Sequence, residues 1–337
     1  MHHTLPASLA FACLLAAPVF ANDTMAELKT GGLSYVQSLE VAMEEEDLFI
    51  SQQEIRVDYV FSNETDKDIE TVVAFPMPDV SGGPDQNIAL DDMDGDNMLG
   101  FSVTQDGKPI TPTLQQRAYA NEIDVTDELK AKGVPLPPLG QTAAEAADRL
   151  DEATKRDWIA RGIVMDDSYD AGKGWEHHAL PLWTLRSVYW WKTVFPANSR
   201  VKVSHRYKPS VGGTVSTTYL DENNQPKGER YEDYVRRFCI DEAMVRAARK
   251  SNEAMAAGKA YFTESWISYV LRTGANWNGP IKRFKLTVDK GKKENLVSFC
   301  GNGVRKTGPT TFEMTAEDFF PEKDLDILIL VSTQPAP

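Results

Sequence analysis

The sequence predicts an α+β, β-rich fold: an antiparallel β-sandwich with helical insertions and a C-terminal β region. Three observations carry that expectation. Short runs of alternating apolar and polar residues recur near both ends of the chain, the period of half-buried strands. Gly and Pro turns separate these runs, as in a sandwich rather than a parallel α/β sheet. Helical periodicity is confined to two stretches in the interior of the chain. No longer period repeats along it, which excludes a solenoid.

The first segment is not part of that fold. Leu9 to Val19 is an apolar run too short to span a bilayer, and Val19-Phe20-Ala21 follows it in the manner of a cleavage site. Residues 1–21 therefore predict a secretory signal peptide cleaved near Ala21, and a periplasmic or extracellular mature protein. Cys13 has Phe11 and Ala12 before it, not the leucine-led context of a lipid-anchored cysteine. No second long apolar run exists, so no transmembrane anchor is expected.

Ile55, Val57, Tyr59 and Phe61 alternate with Arg56, Asp58 and Val60, which predicts a strand. A polar turn at Asn63–Asp68 leads to an extended run from Ile69 to Phe75 that Pro76 and Pro78 end. Phe101 to Ile110 reads as a hairpin, with Asp106-Gly107 supplying the positive-φ pair of a tight turn. Gly133–Gly140 is a Pro-rich connector, and Thr142-Ala-Ala-Glu145 behind it has the form of a capping box. From there Ala143, Ala147, Leu150, Thr154 and Trp158 fall on one helical face, and Gly162 is the expected stop. Thr193 to Tyr207 predicts a strand pair broken at Phe195-Pro-Ala-Asn198. A second helix is expected from about Asp241 to Gly258, and strands return from about Trp266 to the end. The implied organisation is an N-terminal sandwich, residues 22–215, with a helical insertion at about 125–170. A helix-bearing segment and C-terminal β region, residues 216–337, would follow.

The net charge of −14 is unevenly spread. Residues 1–170 carry 32 acidic and 11 basic side chains, against 18 and 25 in residues 171–337. Either the two halves neutralise each other internally or an acidic face awaits a cation. No concentrated Lys/Arg run exists to neutralise phosphates, so nucleic acid is not an expected partner. Once Cys13 leaves with the leader, Cys239 and Cys300 remain. In an oxidising compartment such a pair is most simply a disulfide, the alternative being two free thiols.

Taken together, several stretches resemble the bacterial secreted family catalogued as domain of unknown function 4424. They are Glu46–Ser51, Val57–Asn63, Val73-Ala-Phe-Pro-Met-Pro78, Phe195-Pro-Ala197, His205–Ser210, Phe238-Cys-Ile-Asp241 and Thr273–Ile281. The resemblance spans nearly the whole mature chain and implies no particular activity. More loosely, the order of the Asn loop, Phe-Pro-x-Pro, Asp-Gly hairpin and Phe-Pro-Ala-Asn is similar to the amino-terminal sandwich of inter-alpha-trypsin inhibitor. That second resemblance concerns topology alone.

The common catalytic signatures are absent from the sequence: no nucleophile elbow, zinc-protease helix, phosphate loop or dinucleotide fingerprint. His205 sits in an alternating strand and reads as a packed histidine. Glu176-His177-His178 could offer metal ligands, although neighbours on a strand point to opposite faces. Asp92, Asp94 and Asp96 could converge on calcium from a tight loop. Asn97 stands where an EF-hand needs its glycine, and Val103 where it needs the bidentate Glu. In one continuous strand Trp183 and Trp191 would share a face, with Trp190 opposite; any of the three that is exposed could stack on a sugar or peptide. The expected function is a non-catalytic envelope protein binding a protein partner or glycan through its sandwich surfaces. Calcium is the one cofactor the sequence suggests. The alternative readings are an envelope-polymer hydrolase with an unmarked carboxylate pair and a structural accessory subunit. The sequence sets no oligomeric state.

Overall fold

The computed structural model describes residues 23–29, 32–84, 88–90 and 92–333. The expected signal segment, its cleavage point near Ala21 and Cys13 lie outside the described residues. Three large sheets organise the rest. The first has seven strands and is centred on the long strand Thr184–Phe195, flanked by Thr113–Ala120 and Ile69–Pro76. Its far edge is the hairpin Thr24–Lys29 and Gly32–Val36. The second has eight strands and runs through Thr311–Phe319, Ile281–Asp289, Val41–Ile50, Ile55–Asn63 and Ser199–Tyr207 to the Asp106-Gly107 hairpin. The third has five strands, with Leu325–Ser332 and Phe262–Tyr269 at its centre.

The predicted strand patterns hold residue by residue. Ile55, Val57, Tyr59 and Phe61 are buried and Asp58 between them is exposed. Asp106 and Gly107 take φ of 49° and 75°, the positive pair a tight hairpin turn requires. The first and second sheets face each other across an aromatic layer. Phe75 lies 5.0 Å from Phe101, Phe101 lies 4.4 Å from Tyr189, and Phe61 lies 4.4 Å from Trp277. Each such ring, fully buried, contributes about 1.5–3 kcal/mol relative to exposure.

Two local expectations are corrected. The strands on either side of Pro196-Ala197-Asn198 do not pair with each other. Thr184–Phe195 pairs within the first sheet and Ser199–Tyr207 within the second, so this turn carries the chain across the sandwich. The helix expected behind Thr142 is two helices. With α1 at Thr126–Ala131, these are α2, Gln141–Asp148, and α3, Glu152–Arg161. Asp151 breaks the run by capping α3, accepting from the Thr154 amide at 2.9 Å. Gly162, with φ 68°, ends α3 as expected. Thr142 is not an N-cap; Gly140 takes that position.

Later in the chain come α4, Glu229–Phe238, and α5, Glu242–Ala256. Asp241, at the expected start of this helix, caps α5. Ile281–Asp289 pairs in parallel with Val41–Ile50, from Arg283 opposite Glu45 to Val288 opposite Ile50. Residues on both sides of position 215 therefore share one sheet. Cross-strand ion pairs follow from this join: Lys285 lies 3.6 Å from Asp47, and Arg283 pairs with Glu45. Here the acidic N-terminal half and the basic C-terminal half neutralise each other.

Candidate functional site: a groove with a charged rim

Strands Ile281–Asp289 and Thr311–Phe319 form one end of the second sheet. Alternation turns Phe284, Leu286 and Met314 to its inner face, while Arg283, Lys285 and Glu317 point outward. Opposite that inner face stand α4 and the start of Leu325–Ser332. Between them runs a groove of about 730 Å³, within the usual size range of a small-molecule site. Its apolar lining is Phe284, Leu286, Met314, Phe319, Leu271 and Leu325, all but Phe319 nearly closed to solvent. Phe284 and Phe319 stack with ring centres 4.4 Å apart. Phe320, 56% exposed, stands at the mouth.

The rim is charged. Arg236 and Arg237 occupy the last turn of α4, where cations complement the helix dipole. Cys239 closes that helix in a left-handed conformation, φ 51°, and is disulfide-bonded to Cys300. The bond ties the arginine-bearing end of α4 to the Cys300-Gly301-Asn302 wall. Gly301 is needed there, because a Cβ would meet Met314 Sδ at 2.8 Å and Val304 Cγ2 at 2.9 Å. On the other side, Arg272 donates twice to Asp324 Oδ2, at 3.1 and 2.8 Å, and that carboxylate holds its guanidinium above its ordinary pKa. Arg237 donates to Asp326 at 3.1 Å. Arg236 donates at 3.1 Å to Asp233, one turn back on the same exposed helix face. Lys323 has no ion-pair partner among the described residues.

A larger depression, about 860 Å³, covers the outer face of the second sheet. Its Arg283 and Lys285 are already matched to Glu45 and Asp47. It is a solvated network of surface pairs, and such pairs contribute little individually.

The residues singled out in the sequence fall elsewhere. Trp183 and Trp191 are closed off from solvent, and Trp183 donates to the Leu136 carbonyl at 2.7 Å. Only Trp190 of the three is half-exposed, so the tryptophans form no shared stacking platform. Asp92, Asp94 and Asp96 do not converge. Asp92 accepts from the Gly95 amide at 2.8 Å, and Asp96 stays exposed. Asp94 reaches across 48 residues to cap α2, accepting from the Thr142 amide at 3.0 Å. Those Thr142 hydrogen bonds hold its carboxyl below the ordinary range. Among the described residues no group of three or more His, Cys, Asp and Glu side chains could hold a metal ion.

The histidines are equally dispersed. His205 is buried, with Nε2 3.4 Å from Asp23 Oδ2. His178 meets Asp148 at 2.7 Å, and that hydrogen bond raises its pKa, with Glu176 adding to the effect. His177 Nδ1 is 2.7 Å from Ser168 Oγ, but the serine's other partner is Asp166. The order is Asp–Ser–His, and a nucleophile needs the acid behind the histidine. Asp23, Asp79 and Glu264 have carboxyls raised chiefly by burial, as a catalytic acid would. None of them lines the groove.

With this geometry in view, the comparisons with known proteins are brief. A family model described as a domain of unknown function, DUF4424, matches residues 21–328. The chain belongs to this family. No curated protein matches it. Among solved structures, the DUF4424 chain is similar to a Legionella pneumophila protein provisionally described as a nutrient binding protein. Identity is 13% and the TM-score 0.42, covering 92% of this chain and 70% of that one. Latent dimeric PorU of Porphyromonas gingivalis scores 0.13 at 9% identity, covering 92% of this chain and 23% of that one. Likenesses of this strength carry no functional argument.

The groove residues were not marked in the sequence. The doublets Arg236-Arg237 and Phe319-Phe320 were visible, but nothing local connects positions 236, 284 and 323.

Proposed function

We propose that this DUF4424 protein is a non-catalytic binding protein of the bacterial envelope, and that its ligand occupies the groove beneath α4. One observation carries the reading: a groove of about 730 Å³ opens between charged walls, with Phe319 half-buried and Phe320 56% exposed at its mouth. A concavity of that size with aromatic rings left open at its mouth suits a small ligand. Secretion is supported by the leader-like residues 1–21 and by the Cys239–Cys300 bond, which belongs to an oxidising compartment. Among the described residues no helix is long and apolar enough to cross a membrane.

The test is methyl NMR on protein labelled at its methionines, titrated with an extract of the envelope of its own cells. The Met314 methyl is expected to shift, while Met43 and Met244, buried away from the groove, stay in place. An unmoved Met314 signal at saturating extract would refute the assignment.

A further inference from the structure

Resting on the groove as the binding site, we infer that its ligand is a short extended peptide, which adds as a strand to the open edge of the second sheet at residues 315–317. The edge is open because the chain departs from it. Arg305–Lys306, two residues long, is the outermost strand of this sheet at that end and pairs only with Glu313 and Phe312. The nine-residue strand behind it, Thr311–Phe319, pairs along its other side with Ile281–Asp289. Before Arg305 the chain leads back to Cys300, which is bonded to Cys239 at the end of α4. Among the described residues no strand covers residues 314–319 on that side.

Alternation decides which backbone groups face the gap. The Thr311 carbonyl accepts from the Thr307 amide at 3.0 Å, toward the short outer strand. The Thr310 carbonyl accepts from the Lys290 amide at 3.0 Å, toward the inner neighbour. Counting on by twos, the amides and carbonyls of Thr315 and Glu317 point into the gap, and those of Met314 and Ala316 point to Ile281–Asp289. Asp318, with φ 46°, ends the regular edge. Thr315 and Ala316 line both the groove and the depression on the outer face of the sheet, so this stretch of backbone is open from both sides.

A row of unpaired backbone groups at a sheet edge is a template for another strand. Edges protected against that carry Pro or Lys, and Thr315-Ala316-Glu317 has neither. A peptide residue opposite Ala316 would turn its side chain into the groove, where the small alanine leaves room for it. The apolar lining there is nearly closed and the rim carries both signs of charge. Recognition therefore falls to the main chain, and the slot tolerates many sequences.

The experiment begins with amide hydrogen exchange on the ligand-free protein. The Thr315 and Glu317 amides should exchange fast, and those of Met314 and Ala316 slowly. Equal protection of all four overturns the inference. A capped hexapeptide of alternating Thr and Val is then titrated by NMR, and it should protect Thr315 and Glu317. The same peptide methylated at every amide nitrogen should bind at least tenfold more weakly. Thr315→Pro removes an amide that lies outside the ladder to Ile281–Asp289, so the protein should stay folded by thermal melt. The lost hydrogen bond and the ring in its place should weaken the peptide roughly tenfold. A methylated peptide that binds as well as its parent overturns strand addition. So does a wild-type dimer that Thr315→Pro dissolves, since the edge would then belong to a second copy. If the peptide fails while the envelope extract still shifts the Met314 methyl, only this inference falls; if that methyl is also unmoved, the groove falls with it.

Discussion

Substituting His205 by Leu removes the imidazole that faces the buried Asp23 carboxyl inside the sandwich. Asp23 and His205 are both fully buried, 3.4 Å apart, and the imidazole is ringed by Phe75 at 4.6 Å, Phe101 at 5.2 Å and Trp191 at 5.7 Å. Leucine restores most of the ring's apolar volume, so the larger loss is electrostatic. Burial already raises the Asp23 carboxyl, and His205 draws it part of the way back. Losing that draw leaves the buried carboxyl less compensated, at a cost of up to about 3–5 kcal/mol.

The pH dependence has a definite sign. A carboxyl whose folded pKa is raised contributes stability fully below its unfolded value, near 3.9, and that contribution is lost as pH rises through the folded value. Removing His205 raises the folded value further. The deficit of the variant should therefore be largest at neutral pH and shrink toward pH 4. Urea denaturation at pH 4 and pH 7 measures it. The double variant Asp23→Ala/His205→Leu should be more stable at pH 7 than His205→Leu alone. A deficit below about 1 kcal/mol that does not change with pH would refute the argument.

Three further outcomes follow from other parts of the molecule. Replacing Cys239 and Cys300 together with Ser opens a cross-link between residues 61 apart in sequence. The loop-entropy relation puts the loss at about 4 kcal/mol by denaturant unfolding, and a loss under about 1 kcal/mol would contradict it. His178 should titrate above the ordinary histidine value near 6.5 by NMR. Its raised pKa means that its hold on Asp148, at the end of α2, is full below that value and fades as pH rises through the folded one. A His178 titrating at or below the ordinary value would contradict the contact. Gly140→Ala places a Cβ 2.4 Å from Asp94 Oδ1 and 2.8 Å from the Met93 carbonyl, which dislodges the remote cap of α2. The expected cost is about 1–3 kcal/mol in thermal or urea melts, and an unchanged melt would show that the cap is dispensable.

The elements legible in the sequence are those whose signal is local. The alternation at Ile55–Phe61, the Asp106-Gly107 turn, the Asp241 cap and the Gly162 stop each depend on neighbours within a few residues, and each stands where the sequence puts it. The departures are matters of long-range competition. Thr142 satisfies the capping-box pattern, yet Asp94 from a distant loop supplies the acceptor and the helix starts at Gln141. The hold of Asp92 on the Gly95 amide and of Asp94 on Thr142 was hidden, because a sequence does not show which carboxylates already have partners. α4 escaped notice because Glu-Arg-Tyr-Glu-Asp-Tyr-Val-Arg-Arg-Phe is mostly charged and buries only Tyr234 and Phe238. The groove was invisible because the packing of α4 against a distant sheet face and a disulfide bring its walls together, and neither has a local period.

The claim that the groove under α4 is the ligand site is tested most directly by native mass spectrometry. The protein is purified gently from its own envelope fraction, as the wild type and as Ala316→Trp, which sets a large ring in the groove, with thermal melts confirming that both are folded. A bound small-molecule mass on the wild type, missing from the Ala316→Trp protein, is the predicted result. A bare wild type, or the same bound mass on both proteins, would contradict the account.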